Sequence, residues 1–203
     1  MSWQLYAVVL LGVFHGVNPF MGWLFSLFMG LLRGRALYCI LSSLAISIGH
    51  TISIALTVAG FALLRTLVGE AVVTGLSLIL IVWGLALFAN KVKHVYLGLN
   101  LGLPLLGLWG LIMGFLHGAG IAFASIVIIN DYVGLSNMLP LIVAHFASAF
   151  FAMSTTSSLL LLFYESRGAS LLKRFTGNYS SLWAILLVAM GLSLLVLQAI
   201  KRL

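Results

Sequence analysis

His15-Gly16-Val17-Asn18-Pro19 interrupts an apolar run that extends from Leu5 to Leu32, and its reading decides the fold. A helix over that whole run would be about 42 Å long against roughly 30 Å of bilayer hydrocarbon, so the motif falls near mid-membrane. Pro19 has no N–H for the carbonyl four residues back, which belongs to His15, so the sequence predicts a helix break that frees this acceptor beside the imidazole. Broken backbone at that depth is tolerated where it is buried in protein or lines a cavity. The motif is therefore a candidate binding site in a polytopic protein. Gly16 and Pro19 make the break, and Asn18 is placed to aim its amide into the cavity.

Composition points the same way. Of 203 residues 63% are hydrophobic and 6% charged, and the mean hydropathy is +1.24, which leaves too little polar surface to coat a soluble globule. The net charge of +7 comes from basic residues in short loops between apolar runs, where they act as topology signals rather than nucleic-acid contacts. No Lys or Arg precedes Arg33, so the first run lacks the charged start of a secretory signal and reads as a retained span. The single cysteine, Cys39, has no partner for an internal disulfide.

Six apolar segments follow one another: Leu5–Leu32, Leu37–Leu64, Val72–Phe88, Leu103–Ile129, Leu139–Phe163 and Leu182–Ile200. Each is long enough to span. Their separators are Arg33-Gly34-Arg35, Arg65 to Glu70, the stretch from Lys91 through His94, Asn130-Asp131, and Glu165 to Tyr179. Pro104 and Pro140 fall near the starts of the fourth and fifth segments, where a missing N–H costs little, and Ser136 or Asn137 is placed to cap the fifth. With the N-terminus outside, Arg33, Arg35, Lys91, Lys93, Arg167, Lys173 and Arg174 are cytoplasmic, and Arg65, Lys201 and Arg202 are not. The count favours both termini outside a plasma or inner membrane.

The halves resemble each other. Leu11-Gly12-Val13-Phe14-His15-Gly16 aligns with Met113-Gly114-Phe115-Leu116-His117-Gly118, and Ile48-Gly49-His50-Thr51-Ile52-Ser53 aligns with Val143-Ala144-His145-Phe146-Ala147-Ser148. Three spans per half invert the second copy in the membrane, the logic of secondary transporters. The expected architecture is all-α: one transmembrane domain over 1–203, in two inverted three-helix repeats, 5–94 and 103–200.

Histidines at membrane depth are costly, face the bundle interior and mark substrate, ion or proton routes. His15, His50 and His117 lie near the middle of their runs and form the expected metal site, with His145, nearer the end of the fifth run, as a further candidate. Set against this is the plain alternative in which each ring bonds a neighbouring carbonyl and packs as neutral core. The serines and threonines between them read as helix glue. Met21 offers soft sulfur, although a methionine in an apolar helix is usually filler. Glycines on the first and fourth segments, Gly12, Gly16, Gly22, Gly114, Gly118 and Gly120, let those two helices approach each other closely, and their crossing is expected to build the site.

At His15-Gly16-Val17-Asn18-Pro19 and Gly49-His50 the chain resembles the nickel and cobalt permeases, their efflux relatives and the urease-accessory-type membrane proteins, within the lysine-exporter superfamily of six-span, two-repeat transporters. His15, Pro19, Gly49 and His50 match motif positions of the efflux version; Asn18 stands where that version has Glu, Phe20 where it has Asp, and Met21 where it has a second His. The resemblance implies carriage of nickel, cobalt or a softer transition-metal ion as cargo, with no resident cofactor. The chain's acids are only Glu70, Asp131 and Glu165, all near segment ends, so the expected ligands are neutral.

Two other readings remain open at this point. Mid-membrane histidines exchange protons near neutral pH and couple to export of a small organic solute. Four membrane histidines also suit bis-His ligation of a b-type haem for electron transfer. No Ser-His-Asp set, paired carboxylates, phosphate loop or HExxH favours an enzyme. The expected partners are the bilayer and a small ion or solute, not nucleic acid, and the sequence leaves a homo-oligomer open.

Overall fold

A computed structural model describes residues 3–18, 21–68, 71–89, 102–116, 119–129 and 135–201, and the regular structure of these residues is all helical. The helices are α1 (Trp3–Val17), α2 (Trp23–Arg33), α3 (Ala36–Val68), α4 (Ala71–Phe88), α5 (Leu103–Leu116), α6 (Ala119–Ile129) and α7 (Leu135–Lys201). Among them Ala36–Arg65 and Asn137–Phe163 are long and apolar enough to cross a membrane. Leu103–Phe115 and Gly120–Val127, bent by 59°, make a third such span if taken together.

Polarity runs inside out. Leu10, Val82 and Phe151 are each more than 60% exposed, along with many other large apolar side chains, while Gln4, His15, Asn18, Ser26, Ser42, Ser43, Ser47, His50, Ser53 and His145 are buried. Water would penalise such an apolar exterior, whereas lipid accepts it.

The first predicted span is broken, as expected, between α1 and α2. The freed carbonyl is not. Asn18 N donates to the His15 carbonyl at 3.2 Å, and Met21 N donates to the Asn18 carbonyl at 3.0 Å. A tighter turn thus takes up the acceptor that a proline leaves, as helix ends do elsewhere. Trp23 Nε1 reaches back to the Val17 carbonyl at 2.9 Å and satisfies another orphan at the end of α1. Gly22 sits at φ +123°, a conformation that only glycine adopts without strain. Gly34, at φ +61°, ends α2; its N–H and that of Arg35 return to the Leu31 and Gly30 carbonyls. Pro19 lies outside the described residues.

Other expectations change. The fourth predicted span is also broken, into α5 and α6, where no proline marks the sequence. Pro104 does lie in the first turn of α5, but α7 begins at Leu135, so Pro140 is inside that helix, and Ser136 and Asn137 are helical residues rather than caps. The Glu165–Tyr179 separator is likewise within α7, which joins the fifth and sixth predicted segments. Leu141 near its start and Ala184, Leu187 and Leu194 near its end belong to one buried apolar cluster with Val8, Ile54, Leu76, Leu80 and Phe123. Arg65 is within α3, whereas Glu70, Lys91 to His94 and Asn130-Asp131 lie outside the described residues.

Helix pairing follows glycine. The expected crossing of the first segment on the fourth is not the one the glycines serve: α1 packs on α7, α5 on α3, and α4 on α7. A side chain at Gly12 would meet Ser148 and His145, and one at Gly114 would meet Ser53 and His50. The two aligned motif pairs therefore make the same contact, each across the halves of the chain. The third pair behaves likewise: Gly84 abuts Ala184 and Val188, and Gly191 abuts Ser77 and Ile81.

Candidate functional site

Three imidazoles meet where these helices cross. His15 comes from α1, His50 from α3 and His145 from α7, and one ring nitrogen of each lies within 4.8 Å of the others. All three are buried, with at most 6% of any side chain exposed. The His15 and His50 rings are 4.1 Å apart between centroids and tilted by 36°; His15 and His145 meet edge to face at 5.7 Å. Phe123 of α6 closes the far side of His145 at 5.4 Å.

Glycine makes this convergence possible. Gly12 and Gly114 let α1 and α5 lie directly against the His-x-x-Ser faces of α7 and α3, where a Cβ would strike the serine hydroxyl. Those hydroxyls are turned back onto their own helices. Ser53 Oγ donates to the His50 carbonyl at 2.6 Å, and Ser148 Oγ donates to the Ala144 and His145 carbonyls. They are glue, as expected.

His145 Nδ1 pairs with the Val8 carbonyl at 3.3 Å, which fixes its ring; Nε2 has no hydrogen-bond partner among the described residues. Asn18 is buried one turn beyond His15. Met21 is buried too, within the apolar cluster around Val8 and Phe123, which suits a filler. His117 lies outside the described residues. His145, the outlying candidate in sequence, is thus a full member of the cluster.

Sequence reading missed Phe123, Ser42 and the contact of Ser43 with Ser26, and took Ser47 only as helix glue. Phe123 carries no pattern that separates it from other core aromatics. Ser47 and Ser42 continue the buried face of α3 from His50 toward the Gly34 turn, and their hydroxyls have no hydrogen-bond partner among the described residues. Their spacing from His50, three and eight residues, was visible as one helix face. Ser43 Oγ on the same helix donates to Ser26 Oγ at 3.0 Å and ties α2 to α3.

No family model matches the chain, and neither does any curated protein or solved structure.

Proposed function

We propose that the chain is a six-span membrane carrier of two inverted three-helix halves that moves a transition-metal ion through His15, His50 and His145. One observation carries this reading: three imidazoles from three helices, buried together with nitrogens within 4.8 Å. Nitrogen donors about 2.0 Å from one ion lie roughly 3.3 Å apart in a tetrahedral shell, so modest ring rotations would complete the contact. A bis-His haem needs the whole porphyrin between its two rings, and the 4.1 Å His15–His50 approach leaves no slot for one.

The reciprocal glycine contacts support a pseudo-two-fold axis through the bundle. In this reading the two apolar parts of α7 cross separately, with Glu165, Arg167, Lys173 and Arg174 outside the hydrocarbon and both chain termini on the outer side. The moving bodies are not the sequence halves. Because α1 is seated on α7 and α5 on α3, His15 and His145 ride together while His50 belongs to the other pair. Rocking one pair against the other parts His50 from the other two rings and releases the ion. The buried hydroxyls of Ser47 and Ser42 lie on α3 between His50 and the Arg33–Arg35 end.

The test is metal flux into proteoliposomes carrying an encapsulated metal-sensitive dye. We expect His15→Ala, His50→Ala and His145→Ala each to abolish flux while the protein still inserts and elutes as a single species. Flux at the unmodified rate in His15→Ala or His50→Ala overturns the site. Absence of metal flux together with proton-driven solute export identifies the histidines as proton carriers instead.

A further inference from the structure

Resting on that carrier reading, the composition of the site points further: we propose that its ion is a soft monovalent cation, cuprous copper with silver as its analogue, rather than a nickel, cobalt or zinc dication. Among the described residues the cluster contains His15, His50 and His145 and no Asp, Glu or Cys. The neighbouring Ser53 and Ser148 hydroxyls are turned onto their own backbones, and Ser47, one turn away, is neutral. Cys39 lies eleven residues from His50 on α3, about 16 Å along the axis, where its Sγ contacts the Ser157 carbonyl. Among the described residues every donor within reach is uncharged.

The remaining surroundings are apolar. Phe123 stacks edge-on against His145, and Val8, Leu11 and Ile54 belong to the same buried cluster as Phe123. The cost of moving an ion from water into such a medium rises with the square of its charge, so a dication is penalised about four times as heavily as a monocation. Ligand charge normally offsets that penalty, and three neutral rings offset none of it. Coordination number works in the same direction. Nickel and cobalt fill their shells with additional oxygen or nitrogen donors, and zinc takes a fourth ligand. A filled-shell monovalent ion is satisfied by two or three imidazoles, the number that α1, α3 and α7 supply here. No redox step is involved: the ion enters and leaves in the same oxidation state.

The experiment uses the purified full chain in detergent. Cuprous ion is titrated anaerobically against a chromophoric cuprous chelator, silver by calorimetry, and nickel, cobalt and zinc separately at the same pH. We expect one cuprous ion per chain, held more tightly than any of the dications by on the order of 100-fold, and a loss of at least about 10-fold in His50→Ala. X-ray absorption on the cuprous-loaded unmodified protein should show a shell of two or three nitrogens, which keeps the proposal testable even if the variant fails to fold. A dication bound more tightly than cuprous ion overturns the proposal and leaves the carrier reading intact. A sulfur-containing shell overturns the assignment to these three rings, and binding of no metal at all overturns both the proposal and the metal-carrier reading.

Discussion

The crossing of α5 on α3 and the crossing of α1 on α7 share a glycine laid on a histidine and a serine, yet one turn away they part. On the α3 side, Gly49 would drive a Cβ into the Gly107 carbonyl and the Leu111 amide, and Gly110 would drive one into the Ile46 backbone. In the alignment of the halves, the places of Gly49, Gly107 and Gly110 are held on the other side by Ala144, Leu5 and Val8. There the two helices are tied by the His145 Nδ1 contact to the Val8 carbonyl. Both crossings bring backbone against backbone, since a Cβ at Gly16 would strike the Ala149 carbonyl and the Met153 amide, and the α1–α7 crossing adds a tie from a side chain that is also a site residue. The α3–α5 pair has two such approaches, at Gly49 and Gly110, against one at Gly16 on the other side, and is therefore the more tightly closed, because backbone atoms have no rotamer through which to yield.

The largest effect should come from Gly49→Ala. Its methyl meets backbone on both counts, so we expect a loss of about 3 kcal/mol or more, read as a collapse of the tryptophan-fluorescence unfolding temperature in detergent. Ala144→Gly, the matching change at the α1–α7 crossing, should cost no more than about 1 kcal/mol. Equal losses would erase the distinction between the crossings.

Gly12→Ala and Gly114→Ala come next, each destabilising by about 2 kcal/mol through overpacking. The comparison sharpens when the facing serine is cut back. The atoms met at Gly114 are side-chain atoms of Ser53 and His50, whereas Gly12 also faces the His145 carbonyl. Ser53→Ala should thus restore most of the stability of Gly114→Ala, and Ser148→Ala less of that of Gly12→Ala, in a double-mutant cycle on unfolding temperatures.

The smallest change is Trp23→Phe. It removes the indole donor from the Val17 carbonyl and keeps most of the buried ring, so a loss of about 1 kcal/mol is expected. Hydrogen exchange at the α1–α2 break should rise in that variant and stay unchanged at the α5–α6 break.

The sequence by itself determined the all-helical character, the apolar segments and the break after Val17, because hydropathy and proline act through local chemistry that needs no neighbour. It also singled out His15, His50 and His145, since ionisable groups in apolar runs stand out wherever they end up. The α5–α6 break escaped it, as glycines alone do not announce one. The fate of the His15 carbonyl escaped it too: Asn18 N takes it through a turn whose geometry the spacing does not encode. Tertiary structure alone decided that His145 joins the cluster and that α1 is seated on α7 and α5 on α3. Those facts depend on which glycine faces which backbone, and close packing between segments far apart in the chain leaves no period for a sequence to display.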